Sequence, residues 1–375
     1  MYKLIDQYID KLMTSAPDMP LWNIEAIRQG KKPSWNYIDG CMMTSLLSLY
    51  DETKDQKYLD FVIKFVDYYV FEDGSIRGYD PSKYSTDDVC ESKILFDLYA
   101  LTHNEKYKKA IELSYSQVKN QPRTKEGNFW HKKIYPNQVW LDGLYMMQPF
   151  YTRYIATFGN KDYSDVVNQF QNVFNIMFDK EKKLYYHGYD SSRSMFWADK
   201  ETGLSKNFWL RSIGWYTVGL IDVINYIDDE HQEAKDALIK IFKESINGIL
   251  LYQDKESKMF YQVPNFGGRE GNYLETSGSA MISYAILKGV RTKILDESFR
   301  QIGVDIFNGI CNKYLTNVNG DLNLGGICLV AGLGPENNLR RDGSYEYYIS
   351  EPIVENDAKG TGPLIMAYTE MKKIK

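Results

Sequence analysis

One aspartate of this chain stands inside an apolar and aromatic stretch, "QVWLDGLYM" at residues 138–146. Asp142 lies between Leu141 and Gly143, and Trp140 precedes it by two residues. A carboxylate that is buried without a partner is costly. Asp142 therefore either caps a helix or takes part in chemistry, and apolar surroundings favour the protonated carboxyl that a general acid requires.

Polar and aromatic residues recur in the same place, at the predicted N-terminal end of nearly every apolar helix. The set comprises Trp35, Tyr37 and Asp39; Asp87 and Asp88; Gln138, Trp140 and Asp142; Trp209 and Arg211; Glu275, Thr276 and Ser277; and Asn356, Asp357 and Lys359. Helix capping explains part of this set, because Asp, Asn and Ser are common N-caps. Capping does not explain Trp140, Trp209 or Arg211, so the pattern predicts a functional cluster.

The residue types in this cluster indicate an anionic saccharide as the ligand. Aromatic rings offer faces on which sugar rings stack, and Arg211 offers a two-point fork for a carboxylate. Helix N-termini add partial positive charge, and His187 in "LYYHGYD" adds a further hydrogen-bonding group. Together these groups favour a uronic acid.

Composition and motif content exclude several other classes of protein. The net charge of −5 argues against a nucleic-acid binder, and no apolar run is long enough to predict a signal peptide or a membrane span. The four histidines have no metal-ligand spacing, and no nucleophile-elbow, phosphate-binding or dinucleotide motif occurs, so we expect neither metal nor cofactor. Four cysteines without a CxxC pair predict free thiols and a cytoplasmic protein.

Two classes of predicted helix alternate along the chain, six of each. The amphipathic class comprises "YKLIDQYIDKLM", "YLDFVIKFVDYYV", "KYKKAIELSYSQV", "YSDVVNQFQNVFNIMF", "AKDALIKIFKESINGILLY" and "ESFRQIGVDIFNGICNKYL". The class that is apolar nearly all round comprises "YIDGCMMTSLLSLY", "DVCESKILFDLYAL", "VWLDGLYMMQPFYTRYI", "FWLRSIGWYTVGLIDVI", "YLETSGSAMISYAILKG" and "AKGTGPLIMAYTEM". Short pieces bearing glycine and aromatic residues, such as "NGDLNLGG", predict loops or small hairpins.

This alternation predicts an all-α protein with an (α/α)6 barrel, a toroid of six helical hairpins that forms a single catalytic domain over residues 1–375. The alternative is an open solenoid of helix pairs. The count of six and the lack of a polar capping repeat favour the closed form. In a closed toroid the inner helices run parallel, so their polar N-terminal ends converge on one mouth.

The segment "FWHKKIYPNQVWLDGLYM", together with "LYYHGYD", "FWLRSIGWY" and "LETSGS", resembles the unsaturated rhamnogalacturonyl hydrolases of glycoside hydrolase family 105. These are relatives of the unsaturated glucuronyl hydrolases, and the resemblance covers essentially the whole chain. It implies an (α/α)6 barrel. It also implies removal of the 4,5-unsaturated uronic acid that a polysaccharide lyase leaves at a non-reducing end, by hydration of the vinyl ether double bond.

The resemblance also implies roles for individual residues. Asp142 matches the general acid/base, and Asp87 matches the second active-site aspartate, with Asp88 as the alternative one residue away. The substrate-binding candidates are Tyr37, Asp88, His131, Gln138, Trp140, His187, Trp209, Arg211, Trp215 and Glu275. We expect Arg211 to hold the substrate carboxylate or to pair with Asp87 or Asp142.

Two other functions compete with this interpretation. A sugar 2-epimerase on the same barrel would need two facing bases, usually histidines, and a carbohydrate-binding toroid would use Asp142 only as a hydrogen-bonding group. The sequence leaves open whether the sugar linked to the uronate is rhamnose, another neutral sugar or a sulfated hexosamine.

Overall fold

The computed structural model of the chain describes residues 1–374 and is mainly helical. In chain order the helices are α1 (Tyr2–Leu12), α2 (Ile24–Gln29), α3 (Tyr37–Thr53), α4 (Gln56–Asp67), α5 (Thr86–Ser92), α6 (Leu95–Thr102), α7 (Glu105–Asn120), α8 (Leu141–Phe158), α9 (Ser164–Met177), α10 (Leu210–Tyr226), α11 (Gln232–Leu250), α12 (Thr276–Arg291), α13 (Arg300–Tyr314), α14 (Tyr345–Ile349) and α15 (Ala358–Lys373). The strands are β1 (Gln138–Trp140), β2 (Phe178–Asp179), β3 (Leu184–Tyr185), β4 (Gly188–Asp190), β5 (Leu315–Val318), β6 (Asp321–Leu324), β7 (Ile327–Cys328) and β8 (Ile353–Val354).

The inner helices form a closed ring. Helix α3 packs on α5, α5 on α8, α8 on α10, α10 on α12, and α12 on α15. Helix α15 then returns to α3, and this last contact is the one that an open solenoid lacks. The predicted (α/α)6 barrel is therefore confirmed, with α5 and α6 together filling the second position of the ring.

The outer helices pack on this ring through the apolar face that their sequences predict. In α1 the buried residues are Ile5, Tyr8, Ile9 and Leu12, a spacing that lines one face of a helix. Inner helices are buried far more completely: every residue of α10 from Leu210 to Ile224 is inaccessible to solvent or nearly so. Burial on all sides explains why the inner segments carry so few charges.

The second inner segment differs from its prediction. The stretch "DVCESKILFDLYAL" was expected to form one helix, but the chain breaks between α5 and α6 at residues 93 and 94. The break frees the backbone carbonyl of Lys93, which accepts a hydrogen bond of 3.0 Å from Arg153. The buried Lys93 ammonium in turn donates to the Tyr145 hydroxyl. A tertiary partner, Arg153, thus satisfies the carbonyl that a continuous helix would have paired internally.

Small antiparallel pairs join several helices, as predicted. In the hairpin of β5 and β6, the two-residue turn is Asn319–Gly320, and both residues have positive φ. An Asn-Gly turn with this geometry matches the twist of the strands it connects. The pairing of β1 with β4 has more consequence for function, because it ends at Trp140, directly before α8.

No helix within residues 1–374 is long and apolar enough to cross a membrane. All four cysteines are buried and unpaired.

Candidate active site

The N-terminal ends of the inner helices meet around an aromatic floor. Trp215 of α10 stacks on Tyr145 of α8, with ring centroids 4.5 Å apart, and Tyr37 of α3 contacts Trp215 edge-on at 6.2 Å. The Tyr37 hydroxyl has no hydrogen-bond partner within the part of the chain that the structure describes. Tyr37 and Trp215, both predicted as substrate contacts, thus lie together at the barrel axis.

Asp142 lies in the first turn of α8 and does not cap it. The N-cap is Trp140, whose side chain makes no capping hydrogen bond. One carboxylate oxygen of Asp142, Oδ2, is buried, lies 3.2 Å from Nε2 of His187, and is not aligned with it as a hydrogen bond. Because its side chain is still 11% exposed, Asp142 can be reached from the mouth. Capping is therefore excluded as the reason for this acid.

His187 is fully buried and held from several directions. Its backbone carbonyl accepts a hydrogen bond of 2.9 Å from the amide of Leu141, beside the pairing of Trp140 with Gly188. On the ring, Nδ1 lies 2.7 Å from the hydroxyl of Tyr348. These contacts leave Nε2 facing Asp142, so the β1–β4 pair fixes the distance between the two side chains.

Trp140 forms one wall of the mouth together with His131 and Tyr135. The rings of His131 and Tyr135 stack on Trp140 at centroid distances of 4.5 and 4.6 Å. Gln138 accepts a hydrogen bond of 3.0 Å from the indole nitrogen of Trp140. A Cβ atom at Gly143 would lie 3.1 Å from Nδ1 of His131, so glycine at this position lets the ring approach α8 closely.

Asp87 belongs to a charged group on the side of His131. Its Oδ2 atom lies 2.5 Å from Nζ of Lys132, and its Oδ1 atom lies 3.6 Å from Nε2 of His131. Burial alone would raise the pKa of Asp87, but the charge of Lys132, joined at low pH by that of protonated His131, outweighs burial and lowers that pKa. Burial, helped by the Lys132 charge, also lowers the pKa of His131 to about 4, so this imidazole is neutral near pH 7.

Asp88 faces a cavity beside the mouth and not the aromatic wall. It lines a cavity of about 320 Å³ with Lys83, Lys132 and Ile134. Burial and the adjacent carboxylate of Asp87 raise the pKa of Asp88 to about 6. The geometry therefore places Asp87, and not Asp88, against His131 and the aromatic wall.

Arg211 has partners that the sequence did not indicate. Its guanidinium is buried, donates to the backbone carbonyls of Cys328 and Leu329, and lies over the Trp209 ring at 4.7 Å. Neither Asp87 nor Asp142 is its partner in the described part of the chain, which corrects the expectation of a pairing with either acid. Arg211 fastens the end of β7 and the residue after it to the start of α10.

Glu275 is also occupied within the protein. Its carboxylate accepts hydrogen bonds from the amides of Ser277 at 3.0 Å, Gly278 at 2.8 Å and Cys328 at 3.1 Å. Glu275 is thus the N-cap of α12 and is fully buried. The contacts of Glu275 are therefore those of a helix cap.

The structure adds two residues that the sequence did not indicate, Lys132 and Tyr348. Lys132 stands in the run "HKK", which looks like an ordinary solvated stretch. Tyr348 reaches His187 from a position 161 residues further along the chain, and no local pattern announces such a contact.

Two larger cavities lie outside this mouth. One of about 570 Å³ is lined by Trp197 and Lys206, and one of about 630 Å³ lies beside Tyr163 and His231. Their linings include neither Asp87 nor Asp142, so size alone does not locate the chemistry. Within residues 1–374, no group of three or more His, Cys, Asp or Glu side chains is arranged to hold a metal ion.

The fold and site define a glycosidase built on a helical toroid, and comparison with known proteins agrees. The profile of Glycosyl Hydrolase Family 88 matches residues 4–375. In structure the chain is similar to a family 105 glycoside hydrolase of C. acetobutylicum, at 42% identity over 99% of both chains with a TM-score of 0.91. The chain therefore belongs to Glycosyl Hydrolase Family 88 and its family 105 relatives, which confirms the resemblance predicted from the sequence.

Two curated relatives extend the comparison. Protein Atu3128 of Agrobacterium fabrum is 35% identical over 228 residues, which are 59% of this chain and 96% of that protein. The unsaturated rhamnogalacturonyl hydrolase YesR of Bacillus subtilis is 24% identical over 282 residues, 72% of this chain and 75% of that protein.

Proposed function

We propose that this glycosidase releases a 4,5-unsaturated uronic acid from the non-reducing end of lyase-generated oligosaccharides, with pectin-type rhamnogalacturonan disaccharides as substrates. One observation carries the proposal: Asp142 presents a carboxylate oxygen without a hydrogen-bond partner, 3.2 Å from His187 and beside Trp140. Residues 1–375 act as a single catalytic domain in this proposal, and free buried thiols favour a cytoplasmic location.

The chemistry differs from ordinary glycoside cleavage because the substrate is a vinyl ether. Asp142 donates its proton to C4, which leaves electron deficiency at C5, and the ionised carboxylate then takes a proton from the water that adds there. The resulting hemiketal opens to a ketone at C5. The oxygen freed from the ring becomes the hydroxyl of a hemiacetal at C1, which expels the linked sugar as an alcohol.

The other residues of the mouth bind and orient the sugar. Trp140 and Trp215 provide flat apolar surfaces for the ring, and the unpartnered Tyr37 hydroxyl provides a hydrogen bond. His187 orients Asp142. Asp87 is kept ionised by Lys132, which leaves proton donation to Asp142, since two neighbouring acids in different charge environments take different roles.

The test follows the conjugated chromophore and the released sugar in one reaction. Hydration at C4–C5 removes the chromophore no later than the linked sugar appears, and in H₂¹⁸O the label enters the uronic product only. Attack at C1 would instead release the sugar before the chromophore is lost. A chromophore that persists would favour the epimerase or the carbohydrate-binding toroid and overturn the proposal.

The pairing of Lys132 with Asp87 leads to a prediction about pH. Substituting Lys132→Met removes the charge that lowers the pKa of Asp87 and leaves burial, which raises it. If turnover needs ionised Asp87, the acid limb of the kcat/KM profile moves upward by about 1–3 pH units, the usual effect of one close opposite charge.

Lys133→Met is the matched control for this experiment. Lys133 is the exposed neighbour of Lys132; its ammonium donates to the carbonyl of Ser82 at 3.4 Å and lies 5.8 Å from the centroid of the Tyr84 ring. Its loss should leave the acid limb in place. An acid limb that stays unmoved in Lys132→Met as well would show that Asp87 does not need to be ionised.

A further inference from the structure

One cation at the mouth lacks a partner, Arg341. Its neighbours in the chain are paired: Arg340 donates to Glu351 at 2.9 Å, and Asp342 accepts from Lys206 at 3.0 Å. Arg341 is half-buried, and within residues 1–374 no hydrogen bond or ion pair engages its guanidinium. A partly buried guanidinium normally finds acceptors, because its five donors are costly to desolvate unpaired. The missing acceptor is therefore expected in a ligand.

Arg341 lies beside the aromatic wall of the site. A Cβ atom built on Gly332 would be 3.2 Å from Nη1 of Arg341 and 3.1 Å from the six-membered ring of Trp140. The guanidinium and the indole therefore approach each other across a residue that has no side chain. Trp140 also contacts His187 edge-on, at a centroid distance of 5.8 Å, and His187 faces Asp142.

The electrostatics of Glu25 agree with this position. Burial raises the pKa of Glu25, but the charges of Lys359, Arg211 and Arg341 together bring it below its ordinary value. Glu25 itself is paired with Lys359 at 2.5 Å. Arg341 thus contributes positive charge to the mouth while Glu25 already has a closer partner.

We propose that the guanidinium of Arg341 binds the carboxylate of the unsaturated uronate. Arg211, the expected partner, is committed to the carbonyls of Cys328 and Leu329. The assignment rests on the proposed function, and it names the residue that selects an acidic over a neutral sugar. The planar fork of an arginine matches a carboxylate at two points.

The chemistry predicts an effect on binding more than on turnover. Protonation at C4 builds positive charge at C5, the atom that bears the carboxylate. A cation on that carboxylate gives the developing charge no added stabilisation. Its interaction is already complete in the bound substrate, so losing it raises KM and changes kcat little.

The test is a cycle of two enzymes and two substrates, an unsaturated galacturonyl disaccharide and its methyl ester. The ester removes the charge of the acid and adds one methyl group, so KM for the ester is compared between wild type and variant and not with KM for the acid. We expect Arg341→Gln to raise KM for the acid about tenfold or more and to leave KM for the ester within about twofold. Arg340→Gln, a matched loss of charge at the adjacent residue, should leave the KM of both substrates unchanged.

Two results would overturn the assignment: Arg341→Gln affecting acid and ester equally, or the difference between acid and ester appearing in Arg211→Gln instead. A melting curve checks that each variant is folded. Arg341→Lys, which keeps the charge and loses the fork, replaces Arg341→Gln if that variant does not fold, with a smaller rise in KM expected for the acid alone.

The same cycle measured as calorimetric binding, in an Asp142→Asn background, separates this assignment from the proposed function. If the enzyme binds the acid with the expected dependence on Arg341 but wild type does not turn it over, the proposed function fails and the assignment stands. Turnover without that dependence overturns the assignment alone. Absence of both binding and turnover overturns both.

Discussion

Asp142→Asn is expected to lower kcat by at least about 100-fold while the protein stays folded and binds its substrate. The substitution removes the proton that C4 must receive and changes little volume, and general acid–base catalysis is typically worth about 10²–10⁴-fold. Because Asp142 caps no helix and accepts no hydrogen bond within residues 1–374, its loss should leave the melting temperature within a few degrees of wild type. Kinetics with an unsaturated disaccharide and a melting curve measure both quantities.

Asp87→Asn and Asp88→Asn provide the comparison. Asp87 contacts Lys132 and His131, whereas Asp88 lines the neighbouring cavity, so Asp87→Asn should reduce kcat/KM by far the larger factor. Retention of more than about a tenth of wild-type kcat in Asp142→Asn would contradict its role as the acid.

Arg211→Lys is expected to destabilise the protein and to leave KM within about threefold of wild type. Lysine cannot reach two carbonyls with a planar fork, so the buried carbonyls of Cys328 and Leu329 lose a donor. Each buried acceptor left without a partner costs about 1–3 kcal/mol. The melting temperature should therefore fall by several degrees, which differential scanning calorimetry measures.

Arg340→Lys is the control for this substitution, since the Arg340 side chain is 52% exposed and meets Glu351 through a charge that lysine keeps. Its melting temperature should fall less than that of Arg211→Lys, because lysine keeps a positive charge beside the buried Glu351 carboxylate. An unchanged melting temperature in Arg211→Lys, combined with a KM raised tenfold, would show that Arg211 holds the substrate instead of the end of β7.

Local pattern in the sequence was enough to predict the inner and outer helices and their arrangement, except the break between α5 and α6 and the short helices α2 and α14. An apolar stripe in α1 and an apolar surface all round α10 follow directly from residue spacing, because burial on one side or on every side selects those patterns. Amphipathic and fully apolar helices alternate six times, and a closed ring with the apolar helices inside buries all of the apolar ones. Asp142 could likewise be singled out, since an acid in an apolar stretch conflicts with its surroundings unless it has a use.

The partners of the charged groups were decided only by tertiary structure. Arg211 and Glu275 looked like ligand-binding residues because they carry polar groups at helix N-termini. Both bind backbone groups of β7 and of the residue that follows it, which lie 53 to 118 residues away in the chain. Arg341, by contrast, lies in a loop, where the sequence has neither the periodicity of a helix nor that of a strand. Its lack of a partner appears only once every neighbouring charge has been placed, because pairing depends on distance in space and not on distance along the chain.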